Sequence, residues 1–374
     1  MPRTVVDRIC ISIYESAKLN LARCRCLASI IVGVIATRSV KLNDIASQFQ
    51  GKANFMSKYR RLQLFFQQVA LNQGTLAKLI VSVIALDGKL LLSIDRTTWE
   101  RRGNTVNLLV LSVCVGDVAI PLFWHDLGHD GNSDTALRMS LVERFAREFG
   151  AERIGALLGD REFVGGKWFR WLRAKGIPFV MRVRENFKVP VASGTRKTDV
   201  RNCFRGLLVE KPRKLGMREI CGAEVGLCGM RLQGGDILIL AWHGLDGDDD
   251  AIELYRERWR IETLFQKLKG HGFNLEESRL RGGHKAETLL GVLALAAAWC
   301  YALGEWHSEE IAPIPLKSHG RKAEATFRRG LNILRQVFAK CAAILSRVAQ
   351  KAYSLINFKS RLANRLSLAI ITRC

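Results

Sequence analysis

The sequence lacks several features that would assign it at once to a class of protein. Ten cysteines occur in 374 residues, but Cys24-Arg-Cys26 and the Cys221–Cys228 pair lack the His or Cys neighbours of a zinc site. The longest apolar run, residues 289–304, is too short and too rich in small residues to favour a membrane span, so a buried helix is expected there. We find no internal repeat and no low-complexity segment. Scattered core thiols in a reducing cytoplasm are therefore expected.

Acidic residues are also in short supply. The chain has 58 Lys and Arg against 35 Asp and Glu, a formal charge of +23 and a pI near 10.0. Residues 311–374 contain thirteen cations and a single acid, Glu324. Such a balance indicates a polyanionic partner, nucleic acid before membrane. Met1-Pro-Arg3 leads into a mixed charged segment, so no signal peptide is expected.

The chain is long enough for two or three domains, and its two ends are predicted to be helical. Residues 1–85 show apolar positions at helical spacing, and residues 58–63 are basic with an aromatic residue among them. That pattern suits a helical DNA-binding region or, equally, a charged exposed helix face. Residues 286–374 are predicted to form a basic helical C-terminal region, with Leu331, Leu334, Val337 and Phe338 on one apolar face.

The middle of the chain alternates between strand and helix patterns. Three strands are predicted first, then a helix, a strand, a helix and a fifth strand; the five are residues 90–95, 107–115, 118–124, 154–160 and 178–183. This order predicts an α/β fold with a mixed, ribonuclease H-like sheet, formed by residues 86–184 and 250–285. Residues 185–249 read as a β-rich insertion.

Residues 250–269 are predicted to form one helix that starts after a run of aspartates and is stopped by Gly270. At about 100° per residue, four polar side chains lie within about 60° of one another on its surface. They are Tyr255, Arg258, Glu262 and Lys269. The carboxylate can hold a metal, and the cations and phenol suit phosphate oxygens, although a solvated face with i,i+4 pairs has the same pattern.

Two predicted strands end in an acid, Asp95 and Asp160, and the helix adds Glu262. Buried carboxylates usually have a partner or a metal, and three of them suit Mg²⁺ or Mn²⁺. Polar strand ends are common, however, so spacing alone leaves the metal site as one possibility among others.

The residues around these acids resemble DDE transposases of the insertion-sequence-four family. The resemblance covers most of the chain and rests on these stretches: Asp95-Arg96-Thr97-Thr98-Trp99, Gly159-Asp160-Arg161-Glu162-Phe163, the Tyr255-x2-Arg258-x3-Glu262-x6-Lys269 signature, Gly131-Asn132-Ser133 with Arg138, and Leu316 to Lys322. It implies a bacterial, cytoplasmic, nucleoid-associated enzyme. It also implies cut-and-paste transposition through a hairpin, by a dimer acting on the terminal inverted repeats of an element and on target DNA.

The resemblance implies a role for each matched residue. Asp95, Asp160 and Glu262 would bind two Mg²⁺ ions, which Mn²⁺ can replace, and Tyr255, Arg258 and Lys269 would contact phosphates. Two further residues are ambiguous. Trp259 can stack on a displaced base or pack in the core, and Arg161 can reach a phosphate or pair with Glu162. A DNA-binding repressor without catalysis and a metal-dependent nuclease without strand transfer remain the alternative functions.

Overall fold

The structure is a computed structural model that describes residues 5–16, 19–101, 104–190, 196–245, 248–280, 283–318 and 320–339. Its helices are α1 (Val5–Ser16), α2 (Leu21–Thr37), α3 (Leu42–Ser47), α4 (Phe55–Gln68), α5 (Gln73–Ile84), α6 (Thr135–Phe149), α7 (Gly166–Ala174), α8 (Asp248–Arg256), α9 (Trp259–Gln266), α10 (Gly283–Glu310) and α11 (Thr326–Ala339). Its strands are β1 (Leu90–Arg101), β2 (Asn104–Val115), β3 (Val118–Asp126), β4 (Ile154–Gly159), β5 (Phe179–Arg182), β6 (Lys188–Pro190), β7 (Lys197–Asp199), β8 (Arg213–Ile220), β9 (Ala223–Arg231) and β10 (Ile237–His243).

The N-terminal region is helical, as the apolar spacing predicts. Asparagine begins three of its helices, because an Asn side chain accepts a hydrogen bond from the otherwise unpaired backbone N–H three residues later. Asn20, Asn54 and Asn72 do this for α2, α4 and α5. The apolar faces of these helices are buried in the main hydrophobic core, which also includes the sheet and α10.

Eight strands form one mixed sheet in the order β3-β2-β1-β4-β5-β10-β9-β8. Among the first three, β2 is antiparallel to both β3 and β1; β4 and β5 run parallel to β1, and β10 is antiparallel to β5. The predicted α/β class, with helices flanking a ribonuclease H-like sheet, is confirmed. Within residues 185–249, β8, β9 and β10 extend this sheet, while β6 and β7 pair separately.

The long apolar helix α10 lies inside the protein, as predicted. It is long and apolar enough to cross a membrane by composition, but 94% of its most apolar window is buried. Helix α11 packs along it so closely that a Cβ at Gly304 or Gly330 would collide with the facing backbone. Leu331 and Leu334 of α11 are buried in the core, and Val337 and Phe338 are half-buried. The helix predicted beyond residue 339 lies outside the described residues.

Helix α6 begins at Thr135. Gly131-Asn132-Ser133 precede the helix, and the capping side chain is that of Asp134, whose Oδ1 accepts from the Leu137 N–H at 2.7 Å. The three preceding residues form a loop that faces Arg96 and Arg138 instead.

Candidate active site

The sheet places Asp95 and Asp160 side by side. Strands β1 and β4 run parallel, and Ile94 pairs with Gly159, so the next residue of each strand emerges at the same position. β4 ends there, whereas β1 continues to Arg101 because it stays paired with β2. Asp95 therefore lies within a long strand and not at its end as predicted, at the point where β1 loses its parallel neighbour.

The guanidinium of Arg258 links two of the three acids. Its Nη1 lies 3.6 Å from Asp95 Oδ2, and its Nη2 donates a short hydrogen bond to Glu262 Oε1. Arg258 also lies over the Tyr255 ring, 5.4 Å from its centroid, and the Tyr255 hydroxyl donates to Asp160 Oδ1 at 3.3 Å. The Arg258 side chain is only 7% exposed. The three carboxylates thus converge on a buried cation and its aromatic neighbour.

The helix predicted over residues 250–269 is broken, so the prediction of a single helix is wrong. Helix α8 ends at Arg256 and α9 begins at Trp259. Around the break, backbone amides bond to carbonyls three residues back instead of four, which tightens the chain into a 3₁₀-type turn. These amides are those of Glu257, Arg258, Arg260 and Ile261. The angles of one continuous helix therefore do not hold across the break, and Arg258 is buried between the acids.

Lys269 lies in a π-helical segment, Lys267–His271, that continues α9. Its Nζ donates to the Thr98 carbonyl oxygen at 2.6 Å and lies 3.7 Å from a carboxylate oxygen of Glu276. Segments of this type are rare and often occur at functional sites. The wider turn brings Lys269 into contact with β1, the strand that carries Asp95.

Burial dominates the electrostatics of the site. It raises the pKa of Asp95 to about 6, although the Arg96 N–H and the Arg258 guanidinium act in the opposite direction. Burial alone would lower the pKa of Arg258, but Tyr255, Asp160 and Glu262 outweigh it and raise that pKa. Arg258 is therefore charged at any physiological pH, and Asp95 ionises close to neutrality.

An open cleft of about 430 Å³ gives access to these groups. It is lined by Asp95, Arg96, Glu262, Phe265, Gln266, Lys269 and Gly270. Carboxylate oxygens are the donors that Mg²⁺ and Mn²⁺ prefer, so the donor type fits such ions. Across the described ranges, however, no group of three or more His, Cys, Asp or Glu is spaced to hold a metal ion.

The family model of the transposase DDE domain matches residues 87–299, more than half of the chain. The chain belongs to this family. No curated protein gives a match. The matched range starts after α5 and includes all eight strands of the main sheet, α9 and most of α10. Asp95, Asp160 and Glu262 all lie inside it, whereas the N-terminal helices do not.

One further cation beside the three carboxylates escapes sequence reasoning. Gly159 pairs with Met181, so Arg182 of β5 stands beside Asp160 as Asp95 does on the other side. The Arg182 Nε is buried and has no hydrogen-bond partner among the described residues. The available signal was Arg182, a cation at the end of a predicted strand. The neighbouring strand in the sheet ends next to the acid Asp160. Strand order is needed to use it, and sequence alone does not give strand order.

The two ambiguous side chains have different surroundings from those first considered. Trp259 is 62% exposed, so core packing is wrong for this residue. Arg161 is exposed, and the ion-pair partner of Glu162 is Arg96, whose Nη2 lies 2.7 Å from Glu162 Oε2. Pairing of Arg161 with Glu162 is thus replaced by a contact between β1 and the loop that follows β4. Both Trp259 and Arg161 remain accessible to a ligand.

A second cleft of about 420 Å³ lies between α3, α4 and the chain that leads into α10. Its lining includes four cations and the single acid Asp44; the cations are Lys41, Arg60, Arg279 and Lys285. A short 3₁₀ turn, Leu275–Glu277, connects this basic cleft with the carboxylate site. Glu277 pairs with Lys41 at 2.9 Å, and Glu276 pairs with Lys269.

Proposed function

We propose that this chain is a transposase of the insertion-sequence-four type, which cleaves DNA at the ends of its element and joins those ends to target DNA. Asp95, Asp160 and Glu262 are the proposed catalytic residues and metal ligands. The observation that carries the proposal is the convergence of these acids, from two adjacent parallel strands and a facing helix, within a transposase DDE domain. The four-residue signature that ends at Lys269 supports the family assignment.

The proposed cofactor is Mg²⁺, two ions per site, with Mn²⁺ as a substitute. When bound, such ions activate a water or a 3′-hydroxyl and stabilise the leaving oxygen of a phosphodiester. The chain's own contribution is to hold the carboxylates in place. Ions bound at Asp95 and Glu262 would compete with Arg258 for these carboxylates, and a guanidinium released from them suits a phosphate.

Tyr255, Arg258 and Lys269 are the proposed phosphate contacts, together with Arg182. Arginine suits this role because its planar fork matches two phosphate oxygens, whereas lysine acts as a point charge. Trp259 is exposed next to Arg258, so it can stack on a base displaced from a hairpin intermediate. Arg161 is a further proposed DNA contact.

The proposal assigns DNA binding also to regions outside the catalytic core. The described part of residues 1–85 is mainly helical and contributes α3 and α4 to the basic cleft, which supports the assignment of this region to DNA binding. Residues 185–249 are the insertion, and residues 286–374 are the basic C-terminal region. The active form is a homodimer on DNA, each subunit holding one element end, in the cytoplasm of a bacterium.

A joining assay tests the proposal. Purified protein is incubated with a labelled element end, a supercoiled target plasmid and Mg²⁺, and the products are separated on a gel. Label in the plasmid supports a transposase. Cleavage without joining would make the protein a nuclease, and retained binding without cleavage would make it a DNA-binding repressor.

A further inference from the structure

The guanidinium of Arg96, the residue after Asp95, is fully occupied within the protein. Its Nε lies 2.8 Å from both carboxylate oxygens of Glu162 and its Nη2 lies 2.7 Å from one of them. Nη1 donates to the Gly131 carbonyl at 2.5 Å, and Nη2 donates to Asn132 Oδ1 at 3.0 Å. A guanidinium has five N–H donors, and these contacts engage all three of its nitrogens. Arg96 therefore faces its own protein, although it borders the carboxylate cleft.

Glu162 belongs to the loop that carries Asp160, between β4 and α7. This loop is held at several points: the Phe163 N–H donates to the Asp160 carbonyl at 2.9 Å, and the Phe163 ring is fully buried. Arg138 Nη1 donates to the Glu162 carbonyl at 3.0 Å. The Glu162 side chain adds the only one of these contacts that reaches β1. This ion pair therefore ties the loop to β1 beyond the point at which the β1–β4 pairing ends, at Ile94 and Gly159.

Arg96 contacts both sides of the acid pair. Its backbone N–H donates to Asp95 Oδ1 at 2.7 Å, while its side chain holds Glu162, two residues after Asp160. We propose that Arg96 and Glu162 are a positioning pair that fixes the separation of the Asp95 and Asp160 carboxylates and thereby sets the affinity of the site for a divalent cation. This inference rests on the proposed function, because it assumes that the two aspartates bind a metal.

Two observations favour positioning over general stabilisation. First, the side chains of the pair are only 19% and 15% exposed. A shielded ion pair of this kind holds its geometry more firmly than a solvent-exposed pair does. Second, groups that hydrogen-bond metal ligands or their neighbours typically change metal affinity 10- to 100-fold when they are removed. Since both partners lie within two residues of a proposed ligand, the effect is expected on metal binding, not only on folding.

The test measures Mn²⁺ binding to the full-length protein by the electron paramagnetic resonance signal of the free ion. Glu162→Gln removes the charge and keeps the shape, and Arg96→Lys keeps the charge and loses the fork. Each is expected to weaken Mn²⁺ binding by about tenfold or more. The double variant is expected to bind Mn²⁺ about as tightly as the single variant with the larger loss of affinity, because both changes break the same contact.

A matched control breaks a similar ion pair elsewhere. Glu148 of α6 pairs with Lys78 at 2.8 Å and is 22% exposed, so Glu148→Gln is expected to leave Mn²⁺ binding unchanged. Amide exchange of residues 160–165 should rise in Glu162→Gln and not in Glu148→Gln. Far-UV circular dichroism checks that all variants are folded.

Failure of this inference is distinguishable from failure of the proposed function. If Asp95→Ala abolishes Mn²⁺ binding but the Glu162→Gln titration coincides with that of the wild type, the positioning pair is refuted and the metal site stands. Additive losses in the double variant would also refute it. If Asp95→Ala leaves Mn²⁺ binding unchanged, the proposed metal site and the inference both fail.

Discussion

The two clefts of this protein use positive charge in opposite ways. In the carboxylate site, Arg258 is 7% exposed and contacts Asp95 and Glu262, so its charge is matched inside the protein. In the basic cleft, the cations outnumber the one acid of the lining, and Arg60 and Arg279 are exposed. Matched, buried charge fixes geometry, while unmatched, exposed charge attracts a polyanion from solution. One cleft is therefore suited to chemistry on DNA and the other to holding it.

The two ion pairs that connect the clefts are weak because their side chains are exposed to solvent. Lys41 and Glu277 are 41% and 44% exposed, and Lys269 and Glu276 are 27% and 56% exposed. Exposed ion pairs contribute at most about 1 kcal/mol, so a phosphate can displace either glutamate at little cost. Phosphates bound in the two clefts would then replace Glu276 and Glu277 as the partners of Lys269 and Lys41.

The largest expected difference between the clefts is in cleavage. Asp95→Ala, Asp160→Ala and Glu262→Ala should each lower the cleavage rate by on the order of 10²–10³-fold or more, because each removes a proposed metal ligand. DNA affinity should stay within about threefold of the wild type, since most phosphate contacts remain. Cleavage kinetics and a binding titration on the same preparations measure both. Near-normal cleavage by Glu262→Ala would remove that residue from the site.

A smaller loss is expected for the cations of the carboxylate site. Arg258→Ala should slow cleavage by about a hundredfold, because it removes a preorganised charge beside the reacting phosphate. Lys269→Ala should act in the same direction, with its largest effect on end processing after the first cut. Single-turnover assays that separate first-strand nicking from hairpin processing and joining provide the measurement. Full activity of both variants would mean that neither cation contributes to the reaction.

Changes in the basic cleft should affect binding and spare the chemistry. Arg60→Ala and Lys285→Ala should each weaken DNA binding and reduce the slope of log affinity against log salt by about 0.9. Cleavage at saturating DNA should be unchanged. Arg218 of β8 is exposed and bonds only to its neighbouring carbonyl in the contacts described, so Arg218→Ala is a matched control with an unchanged slope. Equal slopes for all three variants would place the DNA elsewhere.

The smallest expected effect is on stability. The folded-state pKa of Asp95 is about 6, above its ordinary 3.8, so the folded protein binds the proton more tightly than the unfolded chain. Stability therefore falls as pH rises from about 4 to 6 and stays lower above that range. Asp95→Asn should remove this loss and stabilise the metal-free protein by ~1–3 kcal/mol at pH 7. Urea titrations at pH 5 and pH 7.5 test this; a variant less stable than the wild type at pH 7.5 would contradict it.

A test of the basic C-terminal residues in DNA binding needs a truncation that keeps the core intact. Truncation after Gly304 would appear to remove only a basic tail, but it would cut α10 and delete α11, whose Phe327, Leu331 and Leu334 are buried. The truncated protein would lose core packing, and its DNA binding could not be interpreted. A chain that ends after Ala339 keeps both helices and still removes most of the excess positive charge of the C-terminal region.

Local patterns were sufficient for much of the fold. The strand that ends at Gly159, next to Asp160, and the strands on either side of Gly116-Asp117 appear close to their predicted bounds, because strand periodicity is a local signal. Strand β1 instead continues past Asp95 to Arg101. Contacts between distant elements were not predictable in this way. The pairing of Arg96 with Glu162 and the place of Arg182 beside Asp160 depend on strand order, and the break at Arg258 depends on the acids that surround it.

Replacement of a single proposed ligand by cysteine tests the central claim most directly, because it changes which metal the site accepts. A thiolate is a softer ligand than a carboxylate and binds Mn²⁺ better than Mg²⁺. Asp160→Cys should therefore be inactive in DNA cleavage with Mg²⁺ and regain measurable cleavage with Mn²⁺, whereas the distant control Glu148→Cys should cleave with either ion. Wild-type cleavage by Asp160→Cys with Mg²⁺ alone would show that Asp160 is not a metal ligand, and the proposed site would be wrong.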